Sequence, residues 1–179
     1  MDQELVDKSK FLSYILRHNP QQIDLQLDRN GWASIDDLLK KSRDSGININ
    51  YQSLEAIAKE STKKRFSISD NGQFIRANYG HSIDIDLDLK AVKPPRHLFH
   101  GTAEQFLDSI HKTGITCQDR NFVHLSTDRE SALEVGQRHG TPVILKIEAA
   151  RMYDQEYQFF HSQAGIWLTK TVPTAFIRK

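Results

Sequence analysis

Cys117 is the only cysteine in the 179 residues. An internal disulfide is therefore impossible, a zinc site built on cysteines cannot be assembled, and a reducing, intracellular setting is the simplest one. Long apolar runs are missing too. No stretch approaches the ~20 apolar residues needed to span a bilayer, and the acidic start Met-Asp-Gln-Glu-Leu-Val-Asp has no apolar segment, so no signal peptide is expected. Charge of either sign is not in excess: 24 Lys and Arg face 23 Asp and Glu. A nucleic-acid partner would have to be held by a local cluster, not by bulk attraction. There is no internal repeat and no low-complexity tract. The eight histidines are scattered without an H-E-x-x-H pair, so no metal is expected. The run Asp84-Ile-Asp-Leu-Asp88 invites a calcium loop and fails it. Counted from Asp84, the sixth position needs Gly and the twelfth Glu, and Leu89 and Pro95 stand there. Its alternation with Ile83, Ile85, Leu87 and Leu89 predicts a half-buried strand.

With 38% hydrophobic and 26% charged residues, the chain has the balance of a folded protein. Leu5, Leu12 and Leu16, with Phe11 and Ile15 beside them, make a helical stripe. That helix must stop at Asn19-Pro20, which leaves Arg17 and His18 at its end. Ser34-Ile-Asp-Asp37 resembles a capping box and starts a second helix to about Lys41; a third spans roughly Tyr51–Lys59. Arg65–Ser69 and Gln73–Ala77 alternate around Asp70-Asn71-Gly72, a hairpin signal. Three helices followed by a two-stranded wing predict a winged-helix module over residues 1–92, with Pro94-Pro95 closing the linker.

Residues 93–179 predict a second, strand-dominated α+β lobe. Its elements are a strand at His97–His100, a helix opened by Thr102-Ala-Glu-Gln105 and ended by Gly114, and a strand at Phe122–Leu125. Next come a helix capped at Thr127-Asp-Arg-Glu130 and β-rich segments Val143–Glu148, Ile166–Thr169 and Ala175–Arg178. Trp32 and Trp167 are expected in the two cores.

Seven short strings run through the chain in order. They are Leu12-Ser-Tyr-Ile-Leu-Arg17-His18, Lys64-Arg65-Phe66, Ile75-Arg76-Ala77-Asn78-Tyr79-Gly80-His81-Ser82, Leu98-Phe99-His100-Gly101-Thr102, Arg120-Asn121-Phe122-Val123-His124-Leu125-Ser126, Val135-Gly136-Gln137-Arg138-His139-Gly140, and Ile166-Trp167-Leu168-Thr169. Each is weak alone. In this order and spacing the chain resembles the RNA 2′-phosphotransferase family. It departs from the family pattern at Tyr79, where glutamine is usual, and at Ala164, where asparagine is common.

The resemblance implies an N-terminal winged-helix lobe and a C-terminal lobe of ADP-ribosyltransferase fold. It implies a cytoplasmic enzyme acting on 2′-phosphorylated RNA such as spliced tRNA, with NAD as co-substrate, no metal, no membrane and no obligate protein partner. It maps a catalytic set onto Arg17, His18, Arg65 and Arg120. The chemistry suits those residue types, because a phosphomonoester and a pyrophosphate brought together need several guanidinium groups with fixed bidentate geometry. It maps NAD contacts onto His100, Gly101, Thr102, His124, Ser126 and Arg138. Read locally, His100-Gly101-Thr102 is a strand end, a tight turn and an N-cap; Gly101 would admit close backbone approach and His100 would bond a ribose hydroxyl.

The implied reaction has two steps. The RNA 2′-phosphate attacks the anomeric carbon of NAD's nicotinamide ribose and nicotinamide leaves, giving a 2′-phospho-ADP-ribosylated RNA. The ribose 2″-hydroxyl then attacks phosphorus, releasing 2′-OH RNA and ADP-ribose 1″,2″-cyclic phosphate, with charge on the phosphoryl oxygens met by arginine. His18 is suited both to proton transfer and to phosphate binding.

Two other readings fit less well. An ADP-ribosyltransferase acting on a protein or a nucleic-acid end usually needs a late glutamate, and Gln163–Lys179 contains no acid. A winged-helix DNA regulator would present Tyr51–Glu60 to the groove, yet that segment carries Glu55, Lys59 and Glu60, a poor face for phosphates.

Overall fold

A computed structural model describes residues 3–60 and 64–178. Helix α1 (Gln3–Arg17) buries Leu12, Ile15 and Leu16, the stripe visible in the sequence. It stops before Pro20: the N–H groups of His18 and Asn19 both turn back to the Tyr14 carbonyl at 2.9 and 3.1 Å. A 3-10 turn, Pro20–Ile23, follows.

Next come strand β1 (Ala33–Ser34), helix α2 (Ile35–Asp44) and helix α3 (Tyr51–Glu60). Ser34 caps α2 as predicted, its hydroxyl accepting from Asp37 N–H at 3.4 Å. Strands β2 (Phe66–Ile68) and β3 (Phe74–Ala77) form the expected antiparallel hairpin. Its turn is closed by Gly72 N–H on the Ser69 carbonyl at 2.8 Å, with Gly72 at φ 70°, a conformation that glycine adopts without steric cost. β1 pairs with β3, so the sheet order is β1-β3-β2. Leu12, Leu16, Leu38, Leu54, Ile57, Phe66 and Ile75 form one buried cluster between helices and sheet. Each such side chain contributes about 2 kcal/mol of burial.

Residues 83–88 are not the strand that their alternation predicts. Leu87 is buried and Asp84, Asp86 and Asp88 are exposed, so the burial alternates, but no strand among the described residues pairs with them. The segment is tied instead to the turn at 28–31. Asp86 N–H donates to the Arg29 carbonyl (3.0 Å), Asn30 Nδ2 donates to the Asp86 carbonyl (2.7 Å), and Arg29 meets the Asp86 carboxylate at 3.2 Å.

The chain divides into two compact units, Met1–Asp88 and Leu89–Lys179. The second opens on strand β4 (Leu98–Ala103), a 3-10 turn at Glu104–Phe106 and helix α4 (Leu107–Thr113), ended by Gly114 at φ 78°. Strands β5 (Ile115–Thr116) and β6 (Val123–Leu125) precede helix α5 (Arg129–Gly136), whose N-cap is Asp128 rather than Thr127; its carboxylate accepts from Ser131 N–H at 2.7 Å. Strand β7 (Pro142–Ile147), helix α6 (Ala149–Tyr153), and strands β8 (Phe159–His161), β9 (Trp167–Thr169), β10 (Thr171–Val172) and β11 (Ile177–Arg178) complete it. The strands make antiparallel sheets β11-β7-β4, β6-β9-β8 and the pair β10-β5. The first two are stitched by a reciprocal pair of backbone bonds between Phe99 and Ser126, both 2.8 Å. Leu98, Val123, Leu125, Leu145, Ile147 and Phe159 lie in the second core. The class is α+β with short antiparallel sheets.

Two further sequence expectations are corrected. His100, Gly101 and Thr102 are not a strand-to-helix turn, because they pair with Leu145, Ile144 and Val143 inside β4, and the helix begins five residues later at Leu107. Gly101 is required for packing. A Cβ there would lie 1.7 Å from the Ala132 carbonyl oxygen, and one on Gly136 would lie 2.6 Å from the Thr102 carbonyl oxygen, so α5 rests backbone-on-backbone against β4. Trp32 and Trp167 are half-buried, with Trp167 packed against the second core. The Arg76 guanidinium sits 4.6 Å from the Trp32 ring centroid, and His161 sits 4.8 Å from Trp167, centroid to centroid.

Candidate active site

In the first unit one segment, residues 76–82, wraps the end of α1. The Tyr79 ring lies under the Arg17 guanidinium, 4.7 Å from Cζ to centroid, and Phe66 lies 5.8 Å away, a cation–π arrangement that holds the charge over aromatic faces. Gly80, at φ 87°, lies close beside Arg17; a Cβ there would come within 3.6 Å of the Arg17 side chain. Ser82 N–H donates to the Arg17 carbonyl at 3.0 Å, and Ser82 Oγ lies 2.9 Å from His18 Nδ1.

Asn78 performs the same service for Arg65. It is 5% exposed, its N–H donates to the Arg65 carbonyl (2.9 Å), its Nδ2 donates to the Lys64 carbonyl (2.7 Å), and its Oδ1 accepts from Ser67 Oγ (2.8 Å). Lys64 stands at φ 36°, a left-handed conformation that costs roughly 1 kcal/mol and is held by these bonds. The 76–82 segment thus contacts Arg17 and His18 through Tyr79, Gly80 and Ser82, and the Arg65 backbone through Asn78. Asn78 and Ser82 stand in the quoted string, yet nothing in their spacing gave them a role.

His81, 3% exposed, is a buried neutral imidazole. Its pKa falls to about 4, first through burial and then through the electrostatic influence of Arg17, His18 and Arg76. This corner of the unit is thus crowded with positive charge, which favours an anionic ligand.

In the second unit Arg120 reaches from the loop before β6 to His124 on it, Nη1 to Nδ1 2.8 Å. The His124 carbonyl in turn lies 3.0 Å from His100 Nδ1. Burial lowers the His100 pKa, opposed by that bond. Ser126 follows β6 and pairs with Phe99 next to His100, so His100, Arg120, His124 and Ser126 are brought together. Thr102 is buried within β4. Arg138 is exposed on the 3-10 turn Gln137–His139, which Gln105 Nε2 ties down through the His139 carbonyl at 2.9 Å. Sequence reading passed over Lys170, which fastens the Arg120 loop: its Nζ donates to the Asn121 carbonyl at 3.1 Å and lies 4.1 Å from the Phe122 ring centroid.

Among the described residues no three His, Cys, Asp or Glu side chains are grouped to hold a metal, and no helix is long and apolar enough to cross a membrane.

Known proteins agree along nearly the whole chain. It is 48% identical over 169 residues to a protein of Agrobacterium fabrum described as a probable RNA 2′-phosphotransferase, covering 94% of this chain and 91% of that one. A protein of the same description from Pectobacterium atrosepticum is 44% identical over 180 residues, with both chains covered completely. One from Acaryochloris marina is 46% identical over 176 residues, 98% of this chain and 97% of its own. Residues 3–171 match the family described as RNA 2′-phosphotransferase, Tpt1 / KptA family, and the chain belongs to that family of transferase enzymes.

Proposed function

We propose that this protein removes an internal 2′-phosphate from RNA by transferring it to NAD, releasing nicotinamide and ADP-ribose 1″,2″-cyclic phosphate. The observation that carries the reading is the family match across residues 3–171, which takes in every residue assigned a role. The first unit is taken as a winged-helix lobe that docks RNA, on the strength of its three helices and hairpin. The second, with its short antiparallel sheets, is taken as an ADP-ribosyltransferase-like lobe that holds NAD. A cytoplasmic location suits the substrate.

The donor chemistry fits both substrates. Arg17, His18 and Arg65 are the groups assigned to the phosphomonoester, and the charge around His81 supports an anion there. His100, Gly101, Thr102, His124, Ser126 and Arg138 are assigned to NAD, with the imidazoles suited to ribose hydroxyls and Arg138 to the pyrophosphate. In the first step an RNA phosphate oxygen bonds to the anomeric carbon, and the glycosidic electron pair leaves with nicotinamide. The leaving group is already cationic, so the protein's task is alignment. In the second, the ribose 2″-oxygen bonds to phosphorus, loses its proton, and the RNA 2′-oxygen leaves and takes up a proton. Arg65 and Arg120 meet the charge on the phosphoryl oxygens. His18 is assigned to that proton traffic or to binding the phosphate.

The test is incubation with a 2′-phosphorylated oligonucleotide with and without NAD. Dephosphorylation is expected only with NAD, with nicotinamide and the cyclic phosphate as products, and unchanged in a chelator. Inorganic phosphate released without NAD would make the protein a phosphatase.

A further inference from the structure

Two hydrogen bonds of the second unit have only one possible direction. A guanidinium has no acceptor, so in the Arg120–His124 pair (2.8 Å) Arg120 donates and His124 Nδ1 accepts. The His124 ring then carries its single proton on Nε2. A carbonyl only accepts, so at 3.0 Å from the His124 carbonyl it is His100 Nδ1 that carries a proton. Burial disfavours a second proton on His100, which leaves its Nε2 as a lone pair. The two histidines therefore hold opposite tautomers, and one residue, His124, sets both relationships.

We infer that His124 is the positioning residue for Arg120, aiming the guanidinium through Nδ1 while its backbone carbonyl makes His100 Nε2 a hydrogen-bond acceptor. This rests on the proposed function in taking Arg120 as the arginine that meets the transferring phosphoryl group. It differs from a contact between His124 and the nicotinamide ribose, which would act on NAD binding and the first step.

Arg120 needs such a guide. It is exposed, on a loop ahead of β6, and an untethered arginine must be immobilised at the moment of reaction. The loop backbone is already fixed on both sides. Arg120 N–H donates to the Cys117 carbonyl at 2.9 Å, and Lys170 Nζ donates to the Asn121 carbonyl at 3.1 Å. β6 is itself paired with β9 through His124 opposite Leu168. Only the side chain remained to be directed, and His124 directs it. The lone pair on His100 Nε2 fits a ligand hydroxyl and repels a carbonyl or carboxylate oxygen at the same point.

Substitutions separate the roles, because asparagine places an acceptor oxygen where Nδ1 stands but supplies nothing at the Nε2 position. In single-turnover reactions that resolve the ADP-ribosylated RNA from the final product, His124→Ala is expected to slow the second step by about 10- to 100-fold, with the intermediate accumulating. His124→Asn should regain most of that rate. If asparagine rescues nothing, or if alanine slows only the first step, His124 is a ribose contact and not a guide for Arg120. A second measurement does not depend on turnover. Nitrogen-15 NMR of the free protein should find His124 protonated on Nε2, with Nδ1 protonation gaining population in Arg120→Met. A proton on Nδ1 in the unmodified protein, or no change in the variant, overturns the pairing. Wild-type protein lacking NAD-dependent turnover would instead overturn the proposed function, leaving the NMR result to decide the pair.

Discussion

Ser82 holds two consecutive residues at once: its Oγ lies 2.9 Å from His18 Nδ1, and its backbone N–H donates to the Arg17 carbonyl at 3.0 Å. A residue 64 positions away in sequence thus locks the last turn of α1 and the first residue beyond it. Ser82→Ala leaves the backbone bond in place and removes the Oγ contact to the His18 ring. One hydrogen bond of this kind is worth about 1 kcal/mol, so a roughly fivefold fall in the single-turnover rate is expected, with Ser82→Thr near wild type. Equal rates in all three proteins would show that His18 needs no such hold.

Arg65 and Arg120 are assigned to the charge that develops on the transferring phosphoryl group. Alanine at either position is expected to lower the rate by about 10²–10³-fold, chiefly in the second step. Lysine should restore little, because an ammonium cannot present the planar fork of a guanidinium. Full activity of either alanine variant would return that arginine to an ordinary surface role.

Gly101→Ala tests the contact between α5 and β4. The new methyl would meet the Ala132 carbonyl oxygen at 1.7 Å and the carbonyl carbon at 2.6 Å, and neither strand nor helix can yield without breaking its own pairing. Overpacking of this severity costs about 3 kcal/mol or more, so thermal unfolding should move down by roughly 8 °C or more. An unchanged melting temperature would mean that the helix can slide freely on the strand.

His81 makes the first unit sensitive to acid. Its folded pKa of about 4 lies below the ordinary imidazole value of 6.5, so the unfolded chain takes up a proton first as pH falls. The stabilisation is complete above about pH 6.5, is lost progressively as pH drops toward about 4, and changes no further below that; over the whole range it amounts to about 3 kcal/mol. Urea unfolding followed by Trp32 fluorescence, in a Trp167→Phe background, should show stability falling from about pH 7 to about pH 5. His81→Leu should flatten that slope. A flat profile in the parent protein would show that the folded state protonates His81 as readily as the unfolded one.

The helices and the hairpin were legible because their signals are local. The stripe on α1, the stop before Pro20, the Ser34 cap and the Asp70-Asn71-Gly72 turn each lie within a few neighbouring residues. Strands of two or three residues, such as β1, β5, β8 and β10, span too little chain to show a period, and they exist only because a partner strand lies alongside. Asp84–Asp88 shows the converse: its alternation is real in burial, but among the described residues no strand pairs with it.

The residues assigned to chemistry were legible only as ordered strings, and their arrangement was not. In one dimension Gly101 looks like a turn residue. The structure keeps it inside β4 because a helix backbone, distant in sequence, comes too close for any side chain. Arg120 and His124 are four residues apart on paper with nothing to pair them. Only the loop before β6, fastened by Lys170 from the far end of the unit, turns the guanidinium onto the imidazole. Local propensity, acting over a few residues, sufficed for where helices begin and turns fall. The direction of the Arg17 guanidinium and the tautomer of His100 were settled by contacts between residues far apart in the chain, and such contacts exist only after folding.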